Sequence, residues 1–202
     1  MLRRVTPLIC TGLLALLWMS LASQSPDREI FFDRYGPEQG LHSRQIRDIV
    51  QSSDGFIWMA TNEGLVRYDG KEFVLFFDKE VPAHLSTNRY VEAMTIDDRD
   101  QIWMANNEQV SVYSVAAGTW NYLIDSTGSS AIFAMDFRYD PKKHRMWISG
   151  GRGLCFVDEN FKVHPFSFRE PNYARFTYNT ITLQHDTAIW FDNIYGNYRF
   201  NP

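Results

Sequence analysis

An all-β fold built from repeated four-stranded sheets is what this sequence predicts, and three observations predict it. The 202 residues are 45% hydrophobic and 15% aromatic, with six Trp, ten Tyr and fifteen Phe, and aromatic side chains pack well on a pleated surface. Four tryptophans, Trp58, Trp103, Trp147 and Trp190, recur at spacings of 45, 44 and 43 residues. The stretches around them alternate with period two, and stripes of 3.6-residue period are nearly absent, which excludes a solenoid of helix pairs.

The chain opens on a segment that is expected to lie outside the fold. Met1–Ala22 has a short basic start (Arg3, Arg4), an apolar run shorter than a bilayer span, and small residues at Ser20 and Ala22, the pattern of an export signal cleaved before Ser23. An uncleaved anchor is the alternative. Without that segment the formal charge moves from −4 to −6, and a mildly acidic exported chain has no electrostatic reason to bind nucleic acid. Cys10 lies inside the signal, so Cys155 stands alone. With no internal disulfide possible, stability must come from the core.

Residues 23–202 then read as a partial β-propeller. Arg28–Tyr35 (REIFFDRY) is expected as a lone outer strand, followed by repeats over about 41–80, 85–125, 131–168 and 176–202. Each repeat begins with a strand (IRDIVQ, VEAMTI, IFAMDF, YNTITL) and continues through a turn into the tryptophan strand. A second turn then falls at Gly64, Gln109, Gly153 or Gly196, and a third strand carries Tyr68, Tyr113, Val157 or Phe200. The first three repeats go on to a fourth strand: EFVLFF, TWNYLI and FKVHPF. Four antiparallel strands in about 44 residues is the size of one propeller blade.

Within Asp54–Gly70, alternation places Phe56, Trp58 and Ala60 on one face and Ile57, Met59 and Thr61 on the other. Both faces are largely apolar, as suits a sheet stacked between neighbours. Asp54-Gly55 and Asp69-Gly70 are turn dipeptides for hairpin tips. Three complete repeats and a fourth of three strands predict an incomplete propeller, an open arc. A closed four-bladed ring, with 28–35 completing the last blade, is the alternative.

Little in the chain carries chemistry. Asp97, Asp98 and Asp100 occupy a hairpin tip and are expected to be solvated, because paired catalytic acids need buried and differently perturbed environments. Gln101 stands where a calcium loop needs glycine, and five scattered histidines with one thiol give no zinc spacing, so no metal and no cofactor are expected. Cys155 alternates within GLCFVD as a core thiol, and His164, beside Pro165 in an outer strand, has no expected role. SSDGFIW faintly resembles the Asp-box of sialidases, but Asp54 and Gly55 are adjacent where that box separates them by one residue. An exported propeller glycosidase is therefore the alternative function.

Ligand contacts are expected in irregular loops on a rigid scaffold. The least repeat-like segment, Ser167–Tyr178, combines Arg169 and Arg175 with Tyr173 and Tyr178, and aromatic faces with a guanidinium suit sugar or carboxylate recognition. Asn62 and Asn106 occupy equivalent turns in two repeats and add a polar rim.

Gly40–Phe73 resembles the two-component regulator propeller repeat, through Gly40-Leu41, Asp54-Gly55, Ile57-Trp58, Thr61, Gly64-Leu65 and Arg67-Tyr68-Asp69. The second repeat keeps Leu85-Ser86-Thr87-Asn88 and Ile102-Trp103, and the third keeps Trp147 and Gly153-Leu154. The resemblance implies the periplasmic sensor region of hybrid histidine kinases of Bacteroidetes. It further implies an oligosaccharide or other small-molecule ligand, and as partners the remaining propeller blades or a homodimer mate. None of His42, His84, His144, His164 and His185 begins a phosphoacceptor pattern, so no enzymatic activity is expected of this chain itself.

Overall fold

The structure is a computed structural model that describes residues 30–77, 89–106, 108–124, 132–151, 153–166, 180–184, 188–193 and 196–201. The chain divides into two units, Met1–Arg34 and Tyr35–Pro202, and every described strand belongs to the second. Its first sheet runs β1 (Ile46–Gln51), β2 (Ile57–Thr61), β3 (Gly64–Tyr68), β4 (Phe73–Phe76). The second runs β5 (Ala93–Ile96), β6 (Gln101–Ala105), β7 (Val110–Ser114), β8 (Thr119–Tyr122). The third runs β9 (Ala134–Asp140), β10 (Arg145–Gly150), β11 (Gly153–Val157), β12 (Val163–Pro165), and the fourth β13 (Ile181–Gln184), β14 (Ala188–Asn193), β15 (Gly196–Phe200). Every pairing is an antiparallel meander.

This is the expected all-β arrangement of successive propeller sheets. The inner strands pack in chain order, β1 with β5, β5 with β9 and β9 with β13, and among the described residues β1 and β13 form no comparable packing. The propeller is therefore incomplete and open. A closed four-bladed ring is not what the chain forms.

Each interface between sheets follows one rule. The tryptophan-bearing face of one sheet packs on the opposite face of the next: Trp58, Ala60 and Leu65 meet Met94, Ile102, Met104 and Tyr113. Trp103, Ala105 and Val112 meet Phe137, Met146, Ile148 and Cys155, and Trp147 and Leu154 meet Ile181, Ile189 and Phe191. The predicted division of the first tryptophan strand holds, since Met59 and Ile57 join Leu41, Val66 and Phe73 on the other face.

The second turns of the first, third and fourth sheets place Gly64, Gly153 and Gly196 at φ of 133°, 102° and 154°, values that L-residues with a Cβ rarely adopt. Gln109, at the same place in the second sheet, is not in that region. There Asn106 Oδ1 accepts the Glu108 and Gln109 backbone N–H groups at 2.8 Å each and closes the turn with a side chain instead.

The expected outer strand over 28–35 is corrected. Residues 30–35 form no strand, and 28–29 lie outside the described residues. A strand exists through its ladder of hydrogen bonds to a neighbour, which local alternation does not supply.

Candidate functional site

The meander puts two kinds of loop at opposite ends of the sheets. At one end lie the hairpins from the first to the second strand of each sheet; at the other lie the second hairpins and the linkers between sheets. The first end is a structural seam. Tyr139 Oη donates to Asp98 at 2.5 Å, and His144 Nδ1 lies 3.3 Å from the same carboxylate. Ser53 donates through its backbone N–H and its hydroxyl to Asp100. Burial and the Asp98 carboxylate both raise the Tyr139 phenol above its usual range. Three successive hairpins are thus tied across sheet boundaries.

The expectation that Asp97 is a solvated tip residue is corrected. Its side chain is buried, and it accepts from Arg99 N and Gln101 N at 2.9 Å each and from Trp103 Nε1 at 3.0 Å. The same position in the first sheet is Ser52, whose Oγ accepts Trp58 Nε1 at 2.8 Å, and in the fourth it is Gln184, whose Oε1 accepts Trp190 Nε1 at 2.8 Å. In the third sheet, strand pairing puts Asp140 there, but Arg145 Nε takes its carboxylate at 3.2 Å. Trp147 Nε1 is buried with no partner among the described residues, while the Arg145 guanidinium lies 4.6 Å from the Trp147 ring. The three satisfied acceptors stand six residues before their tryptophans, a signal present in the sequence that the strand reading passed over.

The linker end carries the candidate ligand surface. Asn62 Nδ2 donates to Gln45 Oε1. Beside them, Arg47 at the start of β1 lies over the Tyr90 ring at 5.4 Å and 3.8 Å from Glu92, and Tyr90 Oη donates to Glu92. Arg89 stacks on Phe77 at 3.8 Å. Arg47, Tyr90 and Glu92 were not anticipated, because residues 43 or more positions apart carry no local signal of meeting. Amides, a guanidinium, a phenol and a carboxylate at one rim offer donors and acceptors for a hydroxylated ligand.

Of the residues expected to bind ligand, Asn62 lies exposed on this rim, whereas Asn106 is buried in its hairpin. Arg169, Tyr173, Arg175 and Tyr178 lie outside the described residues. Cys155 is in the core, where burial pushes its thiol up to about 12, far from a nucleophile's range. Among the described residues no group of three or more His, Cys, Asp or Glu could hold a metal ion, and no helix is long and apolar enough to cross a membrane. His164 Nε2 is 2.8 Å from Asp158, a contact that lowers the Asp158 pKa, and its ring stacks on Phe156.

Comparison with known proteins agrees with this architecture. Residues 40–63, from the loop before β1 to the β2–β3 turn, match the family profile described as "Two component regulator propeller". That match covers β1, β2 and the turn after them and ends just before β3. A search of curated proteins finds no match. Among solved structures, the chain is similar to the extracellular domain of a hybrid two-component system from B. thetaiotaomicron, at a TM-score of 0.71 and 20% identity over 84% of this chain and 25% of that one. A second such extracellular domain from the same organism aligns at a TM-score of 0.61 and 23% identity, over 81% of this chain and 21% of that one. Virginiamycin B lyase from Staphylococcus aureus aligns at 0.55 and 14% identity, over 76% of this chain and 54% of that one. The chain spans about a quarter or less of the two extracellular domains, and at these identities the likenesses show the fold.

Proposed function

We propose that this chain forms part of an extracytoplasmic ligand-binding module of a two-component signalling protein, sensing a small oligosaccharide without catalysing its turnover. The repeat at residues 40–63 carries the reading, and the alignment of most of the chain with extracellular domains of such systems supports it. The ligand sits at the linker end, where Gln45, Arg47, Asn62, Tyr90 and Glu92 present polar groups, and Arg169, Tyr173, Arg175 and Tyr178 are proposed as further contacts. Asn106 contributes by holding the shape of its turn. Export to the periplasm through Met1–Ala22 places the module where such a ligand arrives.

The test is thermal unfolding of the purified chain against a panel of oligosaccharides, run beside a hydrolysis assay. A ligand at about one hundred times its Kd stabilises by about 2.7 kcal/mol, or roughly 5–10 °C in a domain of this size. Arg47→Ala and Asn62→Ala are expected to remove most of that shift while leaving the ligand-free Tm within about 2 °C, since both side chains are exposed. Turnover that a carboxylate substitution abolishes, or a panel with no stabilising sugar, overturns the reading.

A further inference from the structure

The inner strands of the first three sheets break register at the same place, and the break singles out one side chain in each. Thr61 and Ala60 pair with Ile46 and Asp48, so Arg47 is an extra residue in β1. Gly150 and Ser149 pair with Ala134 and Asp136 in the same way, so Met135 is extra in β9. In the second sheet the Glu92 N–H donates to the carbonyl of Ala105, the partner of Ala93, which puts Glu92 at the same position ahead of β5. A β-bulge re-aims a side chain, and bulges are over-represented next to active sites.

Arg47 and Glu92 already belong to the linker-end site, 3.8 Å apart across the boundary between the first two sheets. Met135 holds the corresponding position in the third sheet, and β9 packs beside β5 as β5 packs beside β1. Two residues before each bulge stand Gln45, Tyr90 and Phe133. Both tiers thus run polar, polar, apolar from the first sheet to the third. Met135 is 41% and Phe133 37% exposed, while Ala134 between them is 3% exposed, so alternation puts the two larger side chains together on the open side. Their exposure does not come from a place at the end of the row, because β9 has β5 on one side and β13 on the other. The Phe133 backbone is fixed there, its carbonyl accepting the Gly151 N–H at 3.1 Å.

We propose that the linker-end site continues onto the third sheet and takes a saccharide carrying an aryl group, the sugar on Arg47 and Glu92 and the aryl ring on Met135 and Phe133. The proposal rests on the saccharide reading of that site and adds the class of its ligand. A guanidinium donates to sugar hydroxyls and a carboxylate accepts from them. A phenyl ring packs against another ring at an offset or edge-on, and a thioether makes favourable contacts with an aromatic ring. A ligand made only of hydroxylated sugar would leave both apolar side chains facing water, whereas an aryl group removes that surface from solvent.

The test is isothermal titration calorimetry of the full chain with paired methyl and p-nitrophenyl glycosides of glucose, galactose, mannose, xylose, cellobiose and lactose. At least one pair is expected to bind, the p-nitrophenyl member at least about tenfold more tightly. Met135→Gln keeps the length of an exposed side chain and makes its end polar. It is expected to abolish that preference and leave the methyl glycoside within about twofold of its wild-type affinity, which also shows that the variant is folded. Arg47→Ala is expected to weaken both members alike. Equal affinity for the two members, a preference that survives in Met135→Gln, or a Met135→Gln chain that loses both members together overturns the aryl site and leaves the saccharide reading standing. Absence of binding in every pair also overturns the aryl site, and unsubstituted oligosaccharides that fail to stabilise the chain overturn the saccharide reading with it.

Discussion

The indole bonds inside the sheets make a quantitative prediction for Asp97. Asp97→Ala removes the acceptor of Trp103 Nε1, Arg99 N and Gln101 N together. The two backbone groups sit at a hairpin tip where water can replace the carboxylate, so their loss is modest, about 1 kcal/mol between them. The indole N–H is different: Trp103 is only 1% exposed, and a buried donor left unpaired costs about 1–3 kcal/mol. The sum is about 3 kcal/mol, equivalent to roughly 6–12 °C in Tm for a domain of this size. Urea unfolding followed by both tryptophan fluorescence and circular dichroism measures it.

Two further variants bracket that value. Ser52→Ala removes a neutral acceptor from Trp58 and is expected to cost about 1–2 kcal/mol. Arg145→Gln introduces the side chain that stands at the matching second-sheet position, Gln101. It frees Asp140 for Trp147 Nε1, so the new indole bond offsets the lost Arg145–Asp140 contact and the net cost stays under about 1 kcal/mol. A cost below about 1 kcal/mol for Asp97→Ala, or one no larger than that of Ser52→Ala, refutes the assignment of these bonds as stabilising.

Three more outcomes follow from single positions. A Cβ on Gly150 would lie 1.7 Å from the Phe133 carbonyl oxygen, a backbone atom that cannot rotate away. Gly150→Ala should therefore cost more than the roughly 1–3 kcal/mol of ordinary overpacking, seen as a lower Tm or loss of soluble protein. Cys155, with its thiol pushed up to about 12 by burial, should resist alkylation in the folded chain at pH 8 and react fully in denaturant. His164 lowers the Asp158 pKa, with the Lys162 and Asn160 backbone N–H groups adding to it. A depressed folded-state pKa stabilises fully above the ordinary aspartate value and is lost as pH falls through the lowered one. In an NMR titration Asp158 should thus titrate below that ordinary value, and His164→Ala should move it back up.

The repeat period, the order of strands and the face that each side chain takes were legible in the sequence, because alternation and turn chemistry act over a few residues. Trp58, Trp103, Trp147 and Trp190 marked the centres of four sheets, and Gly64 marked a turn that only a permissive backbone makes. Even the indole acceptors at Ser52, Asp97 and Gln184 were readable as a fixed offset within one hairpin. Tertiary structure decided whatever depends on a neighbour. Residues 30–35 alternate like a strand yet form none. Asp140 stands ready for Trp147 but is taken by Arg145. Arg47 meets Tyr90 and Glu92 only because β1 and β5 pack side by side. Trp190 belongs to the same pattern as the three buried tryptophans and is exposed all the same. Periodicity makes a surface apolar; burial depends on whether another sheet lies against it.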